Sequence, residues 1–369
     1  MQHFSSALSG LALLGWVYLA LFRGRFWQIL LDERDTEPAV WPSIDIVVPA
    51  RNEGEVLPRT LPSLAAQDYP GAWRILLVDD HSDDGTGEIA RRYERVSVIV
   101  PPALAEGWSG KVAAMDAGAA ASQAEFILFT DADIEHPADG LRRVAAAAVA
   151  RKLDLTSRMV RLRCVSAAER LLVPAFVFFF AMLYPFRRAN DRRSRVAAAA
   201  GGVMLVRRRK LDEIGGMARI KSALIDDCTL ARAIKDAGGK IELTLADDIR
   251  SLREYPGFGD IHRTVARTAY TQLRCSILLV AGTCFGMALL FLAPPVLLVT
   301  GSVLGAVSWG IMSAIYLPMV RFYRLPFAYS LTLPVAAALY VLATIDSARL
   351  HWLGRGGGWK GRVQSKTPL

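Results

Sequence analysis

The sequence predicts an α/β domain on a mostly parallel sheet, flanked by one amino-terminal and about three carboxy-terminal membrane-spanning helices. Three observations lead there. Short apolar runs alternate with helical patterns across residues 43–250. Long uncharged blocks stand near both ends of the chain. The run Glu125-Phe126-Ile127-Leu128-Phe129-Thr130-Asp131-Ala132-Asp133 stops abruptly at two aspartates one residue apart. Such a run reads as a buried parallel strand, and open α/β sheets bind ligands at the carboxyl ends of their strands. Two carboxylates this close repel unless a hard divalent cation, Mg²⁺ or Mn²⁺, bridges them to a diphosphate.

The elements follow in order. Residues 1–22 carry no charge apart from a possible one on His3, and Arg23 and Arg25 follow at once. Basic residues after the apolar stretch are the reverse of a signal peptide, so this is read as an uncleaved anchor with its amino terminus outside. An acidic, proline-containing linker (32–42) leads to a strand at Ile44-Asp45-Ile46-Val47-Val48 and a helix over 56–66. The next strand, 74–78, ends at Asp79-Asp80, and His81-Ser82-Asp83-Asp84-Gly85-Thr86 supplies a turn and cap before a helix at 88–93. A short strand at 96–100 and a loop and helix over 107–121 complete the approach to the paired aspartates.

Beyond the sheet, residues 171–186 are apolar but short for a span and interrupted by Pro174, with Arg187, Arg188, Arg192, Arg193 and Arg195 next. An apolar face with a basic rim reads as an interfacial element, the alternative being a buried core helix. Interfacial helices are expected over 251–275. No charge stands between Arg274 and Arg321, which predicts two passes with a turn near Ala293-Pro294-Pro295, and 325–345 supplies one more within the span region 276–348. The basic tail, 349–369, with Arg349, Arg355, Lys360, Arg362 and Lys366, then falls outside, against the positive-inside tendency. Either one segment is re-entrant or the tail is an exception.

Composition narrows the partners. At 369 residues and 53% hydrophobic, the chain is too apolar for a wholly soluble protein. A net charge of +9 invites a nucleic-acid reading, but no zinc spacing, recognition helix or aromatic-basic ribonucleoprotein motif accompanies it. No nucleic-acid partner is expected. Basic clusters beside apolar blocks instead face anionic lipid and mark the cytoplasmic side. The four cysteines lack metal or redox spacing, which suits a reducing compartment without structural disulfides.

Val48-Pro49-Ala50-Arg51-Asn52-Glu53, Val78 through Thr86, Gly110-Lys111, Thr130-Asp131-Ala132-Asp133 and Asp226-Asp227 together resemble the ordered motif series of family 2 glycosyltransferases with the Rossmann-like GT-A fold. The series covers residues 43–246. Ala266-Arg267-Thr268-Ala269-Tyr270-Thr271-Gln272-Leu273-Arg274, with the terminal helices, resembles the hopanoid-biosynthesis-associated membrane glycosyltransferases more narrowly.

The resemblance implies roles. Pro49, Ala50, Arg51 and Glu53 would line a nucleotide pocket, and Asp79 and Asp80 would accept hydrogen bonds from the donor's base or ribose, unless they only end the strand in an Asx turn. Lys111, behind Trp108, would meet the donor diphosphate at a helix start. Asp133 would be the direct metal ligand, while Asp131 contacts ribose or metal-bound water. His136 is either a further ligand or a polar residue at a helix start. Gly201 and Gly202 would form the acceptor loop. Asp226 stands where the family has glutamate, and Asp227 would be the base. Arg267 and Arg274 would touch the diphosphate or snorkel at the membrane edge. Where processive synthases carry a QxxRW signature, Gln272 stands two residues before Arg274 and Cys275 replaces the tryptophan, which argues against polymer extension.

The expected activity is inverting, metal-dependent transfer of one sugar from a nucleotide donor, uridine diphosphate the favoured carrier, to a lipid acceptor such as a hopanoid or polyisoprenoid. The expected location is the inner membrane with the catalytic domain cytoplasmic. The rival readings are a processive polysaccharide synthase and a non-catalytic scaffold that senses nucleotide sugars.

Overall fold

Strand β1, Ile44–Ala50, is buried at every residue, because helices cover the sheet on both faces. Its odd and even side chains divide between two cores. Ile44, Ile46 and Val48 pack with Leu57, Leu61 and Val144, whereas Val47 packs with Val112, Met115 and Leu230. Continuous apolar strands are what a sheet covered on both sides requires. In this computed structural model, which describes residues 2–33, 35–354, 358–359 and 362–363, the chain falls into two units. The sheet unit holds Leu30–Leu162 and Arg188–Arg253; the helical unit holds Met1–Ile29, Arg163–Arg187 and Glu254–Gly357.

The remaining strands of the sheet unit are β2 (Trp73–Asp79), β3 (Val96–Ile99), β4 (Phe126–Phe129), β5 (Ile134–Glu135), β6 (Leu155–Arg161), β7 (Val203–Arg207) and β8 (Ile241–Ser251). Their order is β3-β2-β1-β4-β7-β6-β8-β5. The pairs from β3 to β4 are parallel, as is β6 with β8, while β7 runs antiparallel to both neighbours and β5 to β8. The predicted α/β class with a mostly parallel sheet is therefore observed. Parallel β1, β2 and β4 end at one edge of the sheet, where Ala50 is in register with Asp79 and Phe129 with Val47. Antiparallel β7 enters the sheet at that same edge, where Met204 faces Phe129. The glycines that precede β7 are thereby carried to the end of β4.

In the helical unit, four segments are long and apolar enough to cross a membrane: Ser5–Phe22, Ile277–Val299, Val303–Phe322 and Phe327–Trp352. One amino-terminal and three carboxy-terminal spans agree with expectation. The turn expected at Ala293–Pro295 is not there. The chain passes through a π-helical stretch, Ala288–Leu292, and Pro294 and Pro295 occupy the first turn of the helix that follows, where a missing N–H costs nothing. It reverses instead at Thr300–Ser302, with Gly301 at φ +87° and the Ser302 hydroxyl accepting the Gly305 N–H at 3.2 Å. The Trp16 Nε1–H donates to Leu290 O in the π stretch at 2.6 Å.

Two further expectations need correction. The apolar stretch after β6 is a full helix, Ala167–Leu183, opened by a reciprocal capping box between Ser166 and Glu169. Its Phe178 packs on Phe26 and Tyr316, so one face is core to the helical unit. Over 251–275 there is one helix, Phe258–Gln272, because β8 extends to Ser251 and Pro256-Gly257 delays the start. In the tail, Arg349 belongs to the Leu333–Trp352 helix, while Arg355, Lys360, Lys366 and the Arg362 side chain lie outside the described residues, as do Met1 and the His3 side chain.

Candidate active site

The carboxyl edge of the sheet gathers charge from segments distant in sequence. The Lys111 ammonium, on the first turn of the Gly110–Ala121 helix, lies 2.8 Å from Asp131 Oδ1 and 3.2 Å from Asp226 Oδ2. Asp226 and Asp227 open the Asp226–Asp236 helix. Asp227 Oδ1 accepts the Cys228 N–H at 2.7 Å, and its Oδ2 accepts the Gly201 N–H at 3.0 Å. A methyl group added to Gly201 would stand 3.2 Å from Lys111 Nζ, 3.6 Å from Asp227 Oδ2 and 3.7 Å from Asp131 Oδ2. One glycine thus faces the lysine, the strand-end aspartate and the helix-start aspartate together.

Electrostatics follow from that crowding. Burial and the neighbouring Asp226 push the Asp227 carboxyl up to about 6, against the opposing pull of Lys111 and two N–H donors. Burial works to lower the Lys111 ammonium, but Asp131, Asp226 and Asp227 outweigh it and hold it above the usual lysine range. Asp133 is raised by burial and by Asp131, partly offset by Arg253 and by the Ser251 hydroxyl at 3.2 Å. Strand β5 causes this contact: its pairing with β8 sets Ile134 opposite Ser251, and the Leu252 N–H donates to Asp133 O at 2.8 Å. Nothing in the sequence marks Ser251 and Arg253 for this role, since a two-residue strand carries no pattern.

The loop Ala200-Gly201-Gly202 is pinned at each residue. Ser157 Oγ accepts the Ala200 N–H at 2.9 Å, Asp227 takes the Gly201 N–H, and the Thr130 hydroxyl donates to Gly202 O at 2.7 Å. A methyl on Gly202 would meet Val160 Cγ1 at 2.8 Å and Cγ2 at 3.0 Å, and a β-branched neighbour in a strand has no rotamer with which to yield. Gly202→Ala is therefore expected to lower stability by about 1–3 kcal/mol, read from thermal melts.

The β1 and β2 loops form a second cluster on the same edge. Arg51 donates to the Asp80 and His81 carbonyls, with Asp80 Oδ2 at 3.8 Å, so its guanidinium staples one loop to the other. The Asn52 N–H donates to Ser82 Oγ at 3.0 Å, the Glu53 N–H to Thr86 Oγ1 at 2.9 Å and the Gly54 N–H to Asp84 Oδ2 at 2.7 Å. Asp79 Oδ1 accepts the N–H of Ser82, three residues on, at 3.0 Å, while Asp80 is buried beside Arg51. Pro49 and Ala50 end β1 at this wall.

Other candidates fall elsewhere. Trp108 packs on the apolar core. His136 is neither at a helix start, since the next helix begins at Gly140, nor open to a metal: it is buried, its Nε2 lies 3.0 Å from Thr130 Oγ1, and burial drives it down to about 4. Arg267 and Arg274 belong to the helical unit, Arg267 on the Phe258–Gln272 helix and Arg274 just past it in a left-handed turn at φ 53°. The Gln272 Nε2–H donates to the Tyr184 hydroxyl at 2.6 Å.

Among the described residues no group of three or more His, Cys, Asp or Glu side chains forms a metal cage by itself. The oxygen donors of Asp131 and Asp133 still fit Mg²⁺ or Mn²⁺, which one or two carboxylates and substrate phosphates commonly hold.

Comparison with known proteins agrees with the fold and the motif order. Residues 45–215 match the family described as Glycosyl transferase family 2. The beta-monoglucosyldiacylglycerol synthase of Trichormus variabilis is 27% identical over 180 residues, covering 47% of this chain and 38% of that protein. The undecaprenyl-phosphate 4-deoxy-4-formamido-L-arabinose transferase of Salmonella choleraesuis is 32% identical over 109 residues, covering 28% and 33%. The chain thus spans less than half the length of these relatives. Among solved structures, the mannosyltransferase PcManGT from Pyrobaculum calidifontis, in complex with GDP-Man and Mn²⁺, superposes with a TM-score of 0.55 at 19% identity, covering 92% of this chain and 97% of that one. At that identity the likeness speaks for the fold alone. Residues 45–215, which include the paired aspartates and the glycine loop, are thus similar to Glycosyl transferase family 2.

Proposed function

We propose that this protein is a membrane-bound inverting glycosyltransferase that moves one sugar from a nucleotide donor, with uridine diphosphate as carrier, to a hydroxyl of a lipid acceptor. The observation that carries the reading is the approach of Lys111, Asp131, Asp226 and Asp227, from three separate segments, around the backbone of Gly201. Asp227 takes the acceptor's proton as its oxygen attacks the anomeric carbon opposite the leaving diphosphate. Its elevated affinity for protons suits a base that works near neutral pH. Lys111 offsets charge growing on the diphosphate. Asp131 and Asp133 would hold a divalent cation, which when bound supplies the same neutralisation. The relatives named for lipid acceptors support a lipid here, with a hopanoid or polyisoprenoid as the narrower choice. So does a cavity of about 180 Å³ in the helical unit, lined by Leu172, Ile261, Val265, Leu339 and Ala343, whose chemistry suits an acyl or prenyl chain. Nucleotide sugars are cytoplasmic, so a nucleotide-sugar donor would put the sheet unit on the cytoplasmic side of the inner membrane.

The test is mass spectrometry of lipids from cells with and without the protein, followed by transfer with purified protein in lipid nanodiscs. One added sugar per lipid supports the reading; a lengthening ladder would favour a polysaccharide synthase, and donor turnover absent with every lipid would favour a sensing scaffold. Asp133→Ala is expected to weaken Mn²⁺-dependent donor binding by at least about tenfold in calorimetry, the loss typical even of outer-shell metal partners. Equal affinity with and without Mn²⁺ in the parent protein would remove the metal from the scheme.

A further inference from the structure

We infer that His136 is a positioning residue for the transfer reaction, acting through Thr130 on the glycine loop that holds Asp227. The inference rests on the proposed transferase reading for its kinetic consequences, but its geometry stands alone. The Thr130 hydroxyl carries one proton, and Gly202 O, at 2.7 Å, can only accept it. The His136 Nε2 contact at 3.0 Å must then be a donation from His136 to Thr130, which fixes the Nε2–H tautomer. The proton path is directional: Nε2–H of His136 to Thr130 Oγ1, then Thr130 O–H to Gly202 O. One residue before that carbonyl, the Gly201 N–H donates to Asp227 Oδ2 at 3.0 Å. His136 therefore sets the hydroxyl that sets the loop that orients the base.

Burial makes the arrangement strict. Thr130 is 1% exposed and His136 5%, so water does not substitute freely for either partner. The His136 backbone is held as well, its N–H donating to Ser63 Oγ at 3.1 Å on the Leu57–Ala65 helix. Thr130 immediately precedes Asp131, so one side chain couples the end of β4 to the acceptor loop across the sheet edge.

The test compares His136→Gln, which keeps an N–H donor at similar reach, with His136→Leu, which does not. His136→Leu is expected to lower turnover about fivefold to tenfold, the worth of one hydrogen bond, with donor KM unchanged and the pH midpoint of turnover moved upward as the Gly201 N–H loosens from Asp227. His136→Gln is expected to restore most of the turnover and the parent midpoint. Equal losses in both variants with the midpoint unmoved would reduce His136 to a packing residue and overturn the inference. Nitrogen chemical shifts of labelled histidine report the tautomer without any assay: a neutral Nε2–H ring at pH 7 is expected, and an Nδ1–H ring refutes the relay. If the parent transfers no sugar but shows the Nε2–H tautomer, the transferase reading fails while the relay survives.

Discussion

Asp227→Asn is expected to cut turnover by about 10² to 10⁴ while leaving donor binding intact, the signature of a lost base. In the proposed reading the carboxyl takes the proton of the acceptor hydroxyl, and both of its oxygens are oriented by backbone N–H groups, from Gly201 and Cys228. Asparagine fills the same space without accepting a proton. In the parent, the base works only when ionised, so turnover should rise with pH through a midpoint near 6 and stay level above it. Stability runs the other way. A carboxyl that the fold holds above its ordinary value favours its protonated form, so the cost of its charge is absent at acid pH. That cost appears as pH rises past the unfolded value of 3.8 and is complete above about 6. Asp227→Asn abolishes the cost but faces one N–H donor with its amide nitrogen, so its melting temperature at neutral pH should match or exceed the parent's. Normal turnover in this variant would refute the assignment of the base. Lost turnover with a collapsed melting temperature would move Asp227 from catalysis to folding.

Much of this site was legible from residue type and order, and the remainder depends on long-range pairing. Strands β1, β2 and β4 announced themselves because a parallel sheet covered on both faces needs unbroken apolar runs. Asp131, Asp133, Asp226 and Asp227 were visible as acids at strand or helix ends. That Gly201 stands against Asp227 was not, because it follows from β7 running antiparallel beside β4, and strand direction leaves no local mark. Ser251 reaches Asp133 only through the two-residue strand β5. In sequence His136 fits either a ligand or a helix start, because a histidine before a proline shows nothing of the hydroxyl it contacts across a turn. In the helical unit, Pro294 and Pro295 looked like a turn, but proline in a first helical turn costs nothing, and the reversal fell to Gly301.

Lys111→Met should act on stability and on the base at once, which separates an electrostatic role from a packing one. Methionine keeps most of the side-chain volume and removes the ammonium that stands 2.8 Å from Asp131 and 3.2 Å from Asp226. Those carboxylates and Asp227 then repel without a counter-charge. Removing one partner of a buried ion pair costs several kcal/mol, and partial exposure of Asp131 reduces this to about 1–3 kcal/mol here. Because Lys111 is a pull that keeps the Asp227 carboxyl from rising further, its loss should also shift the pH midpoint of turnover above the parent value. Turnover at neutral pH should therefore fall more than at pH 9, a contrast that simple unfolding does not produce. Added Mn²⁺ should raise the variant's melting temperature more than the parent's, since a cation bound by the folded form among unpaired carboxylates stabilises it by mass action. If the melting temperature falls but the midpoint of turnover stays at the parent value, Lys111 does not govern the base, and the charge cluster around Gly201 is a structural feature of the sheet edge.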